Sequence, residues 1–158
     1  VGDVIVPKQE KRKIPTQLND FSSPMINTYS LETTIAEKID AILSLMEFSS
    51  RMKDYYDIYY LANKFDFDGK ILVDALKRTF ANREHNFTVE QFEQVMSFDA
   101  DDLMQRKWKA FIKKIDAKTD DFSKVINTID DFLRFPIETA LNGTNFLMQW
   151  KASSNIWE

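Results

Sequence analysis

A lysine and two aspartates stand at helical spacings where packing alone does not require charge. Lys38 lies three residues after Ile35 and four before Ile42, so on a helix it falls on or beside the apolar stripe. Asp54 and Asp57, three residues apart, share one face of the next helical pattern. Phosphoryl-type transfer depends mostly on positioning and electrostatic stabilisation, for which a lysine and carboxylates are suitable groups. Taken alone, the pattern suggests two helices that hold a polar site between them, and one edge of a nucleotide pocket is one of its two interpretations.

Two basic residues precede these aspartates at distances that allow pairing along a helix. Arg51 is three residues before Asp54, and Lys53 is four before Asp57. As exposed ion pairs they would stabilise the helix by only about 0.3–0.5 kcal/mol each. Lys38 also has two interpretations, both open at this point. It either extends from the stripe edge to water or turns inward, where a buried ammonium needs a partner such as Asp54.

Two helices must position these side chains. Ser30 can cap the first by accepting a hydrogen bond from the N–H of Thr33, and apolar residues then recur at helical spacing as far as Met46. Ser49 and Ser50 interrupt that pattern and can cap the second helix. We therefore expect the polar group to lie between two packed helices.

This block of sequence resembles two motifs of the bacterial AbiEii-type nucleotidyltransferases, the toxin half of abortive-infection toxin–antitoxin pairs. The third motif of that family is matched by Ala36-Glu37-Lys38, and the fourth by Arg51-x-Lys53-Asp54-x-x-Asp57. The first two family motifs, a Gly-Ser turn and an Asp-x-Asp-type metal pair, are not found in this sequence. Because the chain also begins Val1-Gly2-Asp3 rather than with methionine, we expect it to be the C-terminal portion of a longer parent.

The resemblance implies roles for individual residues. Lys38 would contact the nucleotide phosphates, and Asp54, supported by Asp57, would complete the catalytic group. Arg51 and Lys53 would join Lys38 in binding the nucleotide. No metal ligand is expected among these residues, and Mg²⁺ and NTP are expected as cofactors of the full-length parent only.

The activity implied by the resemblance is transfer of a nucleoside monophosphate from an NTP to an acceptor, in some members the 3′ end of a tRNA. We expect this portion alone to be inactive, because it lacks the metal-binding motifs. An alternative is a non-catalytic helical module that binds a protein partner, such as an antitoxin, through its aromatic tail. A third hypothesis is an RNA-binding piece that uses a basic stripe of Arg106, Lys109 and Lys113, although such stripes are more often solvated helix faces.

Composition sets the class of protein. The 158 residues suffice for one domain with a sizeable core, and three glycines with four prolines favour long helices over tight turns. The absence of cysteine excludes disulfides and thiolate metal sites, and the net charge of −4 argues weakly against a general nucleic-acid coat. No apolar run reaches the length of a membrane span, so we expect no membrane partner and a cytoplasmic location.

We predict a mainly α fold, a helical bundle with a small N-terminal β element, as the C-terminal part of a nucleotidyltransferase-like α+β protein. Residues 1–29 are expected to be the remnant of the nucleotidyltransferase sheet, and residues 30–158 a helical domain that carries both motifs. The predicted strands are residues 1–7, 14–18 and 25–29, with a charged loop at residues 8–13.

Further helices are predicted after the two motif helices. They cover residues 70–81, a short stretch opened by a capping box at Thr88, residues 99–115, and a long segment capped by Asp120 and Asp121. In the helix at 99–115, the residues expected to face the core are Leu103, Trp108, Phe111, Ile112 and Ile115.

Three single features complete the prediction. Pro136 should kink or end the last helix, because proline removes a backbone donor and clashes with the preceding turn. His85, the only histidine, has few companion ligands and is expected to be an ordinary loop residue. Trp150 and Trp157 in the tail should dock onto the body or onto the missing half.

Overall fold

The computed structural model of the chain describes residues 10–13, 25–28, 30–48 and 51–158, and it is built mainly from α-helices, as predicted. The helices are α1 (Leu31–Leu45), α2 (Met52–Lys64), α3 (Gly69–Asn82), α4 (Val89–Met96), α5 (Asp102–Ile115) and α6 (Phe122–Asn142). The strands are β1 (Glu10–Lys13), β2 (Met25–Thr28), β3 (Phe67–Asp68), β4 (Gln149–Lys151) and β5 (Ile156–Trp157). Short 3₁₀ turns follow α1 at Met46–Phe48 and α4 at Ser97–Ala100.

An antiparallel hairpin precedes the helices and confirms the small N-terminal β element. In it, β1 pairs with β2 from Glu10 opposite Thr28 to Lys13 opposite Met25. The predicted strand at 25–29 is therefore found, while the charged loop prediction is wrong for Glu10–Lys13. Strand propensity is a weak guide there, because pairing with β2 supplies the backbone hydrogen bonds that decide the conformation. The strands predicted at 1–7 and 14–18 lie outside the described residues.

Side-chain caps set where most of the helices begin. Ser30 accepts from the N–H of Thr33 at 3.1 Å, and Thr88 forms the predicted capping box with Gln91. Asp68, Asp101 and Asp121 cap α3, α5 and α6 in the same way. The predicted caps for α2, Ser49 and Ser50, lie outside the described residues. The N-cap position of α2 is occupied by Arg51, whose side chain makes no cap hydrogen bond.

The core lies between α6 and the helices packed around it. α6 packs against α2, α3 and α4, and α1 packs against α2 and α3. Fully buried side chains recur every three or four residues on these faces, including Ile35, Ile39 and Ile42 on α1. The prediction that the two motif helices pack on each other is therefore confirmed.

Helix α5 begins later than predicted and turns a different face inward. Its first residue is Asp102 rather than residue 99, because Asp101 has extended backbone angles and caps the helix after the preceding 3₁₀ turn. Trp108 is buried as expected, but Leu103 and Ile115 are exposed and Met104 is buried in their place. The predicted core face was therefore wrong for Leu103 and Ile115, since the neighbouring helices cover only a narrow stripe of α5.

Pro136 does not end α6, so that part of the prediction was wrong. The helix runs on to Asn142 with the proline inside it. Proline has no N–H, which leaves the carbonyl of Phe132, four residues earlier, without its usual helical donor. The indole Nε1–H of Trp157 donates to that oxygen at 3.1 Å. This donor from the tail satisfies the carbonyl oxygen that the proline leaves unpaired.

The tail forms a small sheet against the body. β4 pairs with β3 on one side and with β5 on the other, and both pairings are antiparallel. Trp150 is fully buried and donates from Nε1 to the carbonyl of Ala62 at 2.7 Å, in the last turn of α2. The predicted docking of the tail tryptophans is confirmed, and the surface that receives them is the body of this chain.

Candidate functional site

Lys38 meets both aspartates across the α1–α2 interface. Its Nζ lies 3.1 Å from Asp54 Oδ1 and 2.6 Å from Asp57 Oδ2. The ammonium therefore turns inward between the helices rather than extending to water. The approach of Lys38 to Asp54, predicted from their positions beside apolar stripes, is confirmed.

Arg51 and Lys53 complete the group from the α2 side. Arg51 Nε lies 2.6 Å from Asp54 Oδ2, and Lys53 Nζ lies 2.6 Å from Asp57 Oδ2. All the site residues predicted from the sequence thus come together in one cluster. We call these five residues the Lys38 cluster: Lys38, Arg51, Lys53, Asp54 and Asp57. Three cations and two carboxylates give it a net positive charge.

The side chains of the Lys38 cluster differ widely in their exposure to solvent. The Asp54 side chain is only 4% exposed, whereas that of Lys53 is 72% exposed. Asp54 Oδ2 accepts no well-aligned hydrogen bond among the described residues, so its ionic contact with Arg51 is what neutralises that oxygen. Asp54 therefore lies deepest, Lys38 and Asp57 are each one-fifth exposed, and Arg51 and Lys53 form the accessible rim.

The electrostatics keep Lys38 charged. Partial burial on its own would favour the neutral amine, but the hydrogen bonds and charges of Asp57 and Asp54 outweigh it and raise the pKa of Lys38. An ammonium has three N–H donors, and the two aspartates use two of them. One donor remains for a further oxygen, and the net positive charge favours an anion such as a phosphate.

The described residues do not fit a magnesium site. Both aspartates of the Lys38 cluster face cations at 2.6–3.1 Å, where a metal ion would have to compete with them. Within the described ranges, His, Cys, Asp and Glu do not gather in any group of three or more able to hold a metal. The net positive charge of the cluster favours an anion over a further cation.

A second polar group, centred on Asp40, was missed by the sequence analysis. Asp40 on α1 is completely buried, with His85 Nδ1 2.8 Å from one carboxylate oxygen and Arg83 Nη1 3.2 Å from the other. His85 does lie in the predicted loop, but it is not an ordinary loop residue because it contacts this buried carboxylate. The available signal was the position of Asp40, four residues after buried Ala36 and three before buried Leu43.

The Asp40 group is arranged as an anchor rather than as a nucleophile with its base. Ser44 Oγ lies 3.3 Å from His85 Nδ1, the same ring nitrogen that contacts Asp40. A serine–histidine–aspartate relay needs the serine and the aspartate on opposite ring nitrogens. The contacts instead fasten the loop after α3 to α1.

One family model matches the chain, over residues 1–134, and it describes a nucleotidyl transferase AbiEii toxin of a type IV toxin–antitoxin system. The chain belongs to the AbiEii family. Both motif segments of the AbiEii resemblance lie inside the match, and they are the segments that build the Lys38 cluster. No curated relative and no solved structure matches the chain.

Membership of the AbiEii family sets the general function. The family consists of nucleotidyltransferase toxins of toxin–antitoxin systems, so an antitoxin is the partner that it implies. Within the described residues, no helix combines the length and the apolar character needed to cross a membrane.

Proposed function

We propose that the Lys38 cluster binds the phosphates of an NTP in an enzyme that transfers a nucleoside monophosphate to an acceptor such as tRNA. The supporting observation is Lys38, whose side chain is one-fifth exposed and whose ammonium is held by two carboxylates at 3.1 and 2.6 Å. A cation fixed in this way binds an anion with little further loss of side-chain entropy. The reaction class is that of the AbiEii family.

Each member of the Lys38 cluster has a distinct part in this proposal. Lys38 offers its remaining N–H to a phosphate oxygen as a compact positive charge. Asp54 and Asp57 hold the ammonium in place as positioning residues. Arg51 and Lys53 add positive charge at the rim, where the polyphosphate would enter.

The transfer itself is a substitution at the α-phosphorus. The acceptor hydroxyl oxygen forms a bond to that phosphorus, the bond to the oxygen bridging to the β-phosphate breaks, and pyrophosphate leaves with the electron pair. The hydroxyl proton passes to solvent. Positive charge near the leaving phosphates stabilises the charge that develops there, and the Lys38 cluster is suited to supply it.

We further propose that magnesium is bound outside the described residues of this chain, by the family's first two motifs in a parent that carries all four. In that parent, residues 1–29 would continue the sheet of the catalytic half, and residues 30–158 would form its helical domain. The 158-residue chain alone should then give no transfer in an assay with radiolabelled NTP and tRNA. Robust transfer by this chain would refute the proposal that the magnesium-binding motifs lie in another part of the parent.

The decisive experiment measures the transfer rate of the four-motif parent after substitutions in the Lys38 cluster and, separately, in the ion pair of Arg134 and Asp130. Lys38→Met and Asp54→Asn should each lower the transfer rate by about 10²–10³, the usual cost of losing one electrostatic contact in an active site. Arg134→Met is the matched control, because Arg134 holds Asp130 at 2.8 Å in a similarly half-buried ion pair on α6. It should lower stability and leave the transfer rate unchanged.

Thermal unfolding of the same variants separates function from structure. Lys38→Met should cost about 1–2 kcal/mol, because Arg51 and Lys53 still neutralise the two aspartates. A near-normal transfer rate in Lys38→Met, together with this loss of stability, would mean that the cluster is only a structural ion-pair network.

The alternative function, a module that binds a protein partner such as an antitoxin, needs a different surface from the one predicted. Trp150 and Trp157 donate to helix carbonyls of this chain, so the tail tryptophans are engaged internally. Leu147, Met148 and Ile156 are exposed apolar residues of the same tail. Loss of antitoxin binding in Leu147→Asp, with transfer retained in the parent, would support that function.

A further inference from the structure

The outer face of α2 carries a pair of stacked tyrosines beside the Lys38 cluster. Lys53, Asp57, Tyr60 and Lys64 follow one another at spacings of three and four residues, so they line one face of α2. The rings of Tyr56 and Tyr60 are stacked, with centroids 6.5 Å apart and an interplanar angle of 22°. Tyr60 therefore lies about one helical turn beyond Asp57, whose carboxylate pairs with Lys53.

One ring of the pair is fixed, and the other is open to solvent. Tyr56 is half-buried and packs on Phe111 and Trp108 of α5, with centroid distances of 6.0 and 6.4 Å. Tyr60, which stacks on Tyr56, is 49% exposed. An accessible ring on a rigid base is a suitable platform for a nucleobase, since any base can stack on it.

Lysines lie on both sides of this platform. Lys107 and Lys114 are four residues before and three residues after Phe111 on α5, so they flank the ring on which Tyr56 packs. Lys64 follows Tyr60 by four residues on α2, and both Lys64 and Lys114 are exposed.

Positive charge is concentrated in this part of an otherwise acidic chain. Residues 103–124 contain seven lysines and arginines against three aspartates, whereas the whole chain has a net charge of −4. A basic patch next to exposed aromatic rings is complementary to single-stranded nucleic acid, which offers phosphates and unpaired bases together.

We infer that the tyrosine–lysine surface, formed by Tyr56, Tyr60, Lys64, Lys107 and Lys114, binds a single-stranded segment of the acceptor RNA. One base stacks on Tyr60, and the neighbouring phosphates pair with the lysines. The inference rests on the proposed function and adds the path by which the acceptor reaches the Lys38 cluster. A single strand fits better than a duplex, whose bases are already stacked on each other. An acidic peptide would use the lysines and leave the exposed ring unused.

Binding of a fluorescein-labelled single-stranded RNA oligonucleotide to the 158-residue chain, followed by fluorescence anisotropy, tests the stacking contact. Tyr60→Ala should weaken binding about tenfold, a typical cost of losing one base–aromatic stack. Tyr60→Phe keeps the ring and should bind like the unsubstituted chain. Phe135→Ala is the matched control, because Phe135 is a comparably exposed aromatic residue on α6. It should leave RNA affinity unchanged.

The salt dependence of the same titration tests the phosphate contacts. Replacing Lys64 and Lys114 together by alanine should reduce the slope of log K against log salt by about 1.4, because each single-strand phosphate contact contributes about 0.7. Lys70 and Arg78 are exposed on α3 and provide the matched pair for the control. Their replacement by alanine should leave the slope unchanged.

The possible outcomes separate this inference from the proposed function. Equal RNA affinity in Tyr60→Ala and the unsubstituted chain would overturn the inference, as would tighter binding of a poly-glutamate peptide than of RNA. NTP binding is measured in parallel on the four-motif parent, where Tyr60→Ala should retain it and Lys38→Ala should lose it. Lost RNA affinity in Tyr60→Ala with intact NTP binding in Lys38→Ala would support the RNA surface and refute the nucleotide site.

Discussion

The indole N–H of Trp157 donates to the carbonyl oxygen of Phe132 at 3.1 Å, where Pro136 leaves that carbonyl without its helical donor. The two rings also stack, with centroids 5.9 Å apart and planes within 4°. Strand β5 is thus coupled to the part of α6 that contains Pro136 through one hydrogen bond. Docking of the tail therefore satisfies a carbonyl that Pro136 would otherwise leave without a donor.

A double-mutant cycle measures this coupling. Trp157→Phe should lower the free energy of unfolding by about 1–3 kcal/mol, because the Phe132 carbonyl loses its donor. In a Pro136→Ala background the alanine N–H can supply that donor, so the same substitution should cost less there. Urea unfolding of the four proteins gives the coupling energy. A cost of Trp157→Phe that is the same in both backgrounds would show that only ring packing matters.

The contact between Tyr59 and Asp120 predicts a pH dependence with two limbs. Partial burial and the hydrogen bond to Asp120 raise the pKa of Tyr59 from 10.0 to about 12. Its stabilising effect is complete below pH 10 and is lost as the pH rises through the folded-state pKa. The same hydrogen bond, with that from Lys124, lowers the pKa of Asp120 below 3.8, so this contribution is lost as the pH falls through the folded-state pKa.

Thermal unfolding of Tyr59→Phe across acid and alkaline pH checks this dependence. The substitution should flatten both limbs of the stability profile relative to the unsubstituted chain, because it removes the phenol and its hydrogen bond together. Tyr60→Phe changes a neighbouring exposed tyrosine and should leave both limbs as they are. Parallel profiles for Tyr59→Phe and the unsubstituted chain would contradict the assignment.

Asp40→Asn should destabilise the chain without affecting nucleotide transfer. Asp40 is completely buried against His85 and Arg83, so losing its charge should cost about 1–3 kcal/mol. Transfer by the four-motif parent should be unchanged, because Asp40 and Lys38 are two residues apart on α1 and point to different sides. A large loss of transfer at temperatures where the variant is folded would show that the Asp40 group takes part in function.

Asp131→Asn provides the contrast to Asp40→Asn, because Asp131 is an exposed carboxylate on α6. Partial burial and the charge of Asp130 raise the pKa of Asp131, which means that its ionised form is disfavoured in the folded chain. Removing that charge should therefore leave stability at neutral pH unchanged or slightly higher. Chemical denaturation of both variants side by side distinguishes the two carboxylates.

Gly69→Ala and Gly143→Ala should differ for a geometric reason. A Cβ at Gly69 would collide with the Phe146 ring and with the backbone oxygen of Met148, so alanine there should cost about 1–3 kcal/mol. A Cβ at Gly143 would meet nothing within 4 Å, and its cost of about 1 kcal/mol comes only from the positive φ of 73°. Melting temperatures rank the two variants, and a milder effect at Gly69 would argue against tight docking of the tail.

Local sequence determined most of the helices and the composition of the candidate site. The apolar spacing of Ile35, Ile39 and Ile42 defines the buried face of α1, and capping residues such as Ser30 mark where helices begin. These signals act within a few residues, so the sequence alone contains them. Lys38 and Asp54 could be expected to meet for the same reason, since each stands beside the stripe through which its helix packs.

Tertiary structure alone decided the contacts between distant residues. Trp150 donates to the carbonyl of Ala62, which is 88 residues away in the sequence, and His85 contacts Asp40, which is 45 residues away. No local sequence pattern predicts either pair. The continuation of α6 through Pro136 likewise depends on a donor 25 residues away from Phe132. Helix propensity and hydrophobic periodicity reflect only the interactions of a residue with its neighbours in the sequence. A polar group without a local partner finds one only once the chain has folded, because burial makes an unpaired donor or acceptor costly.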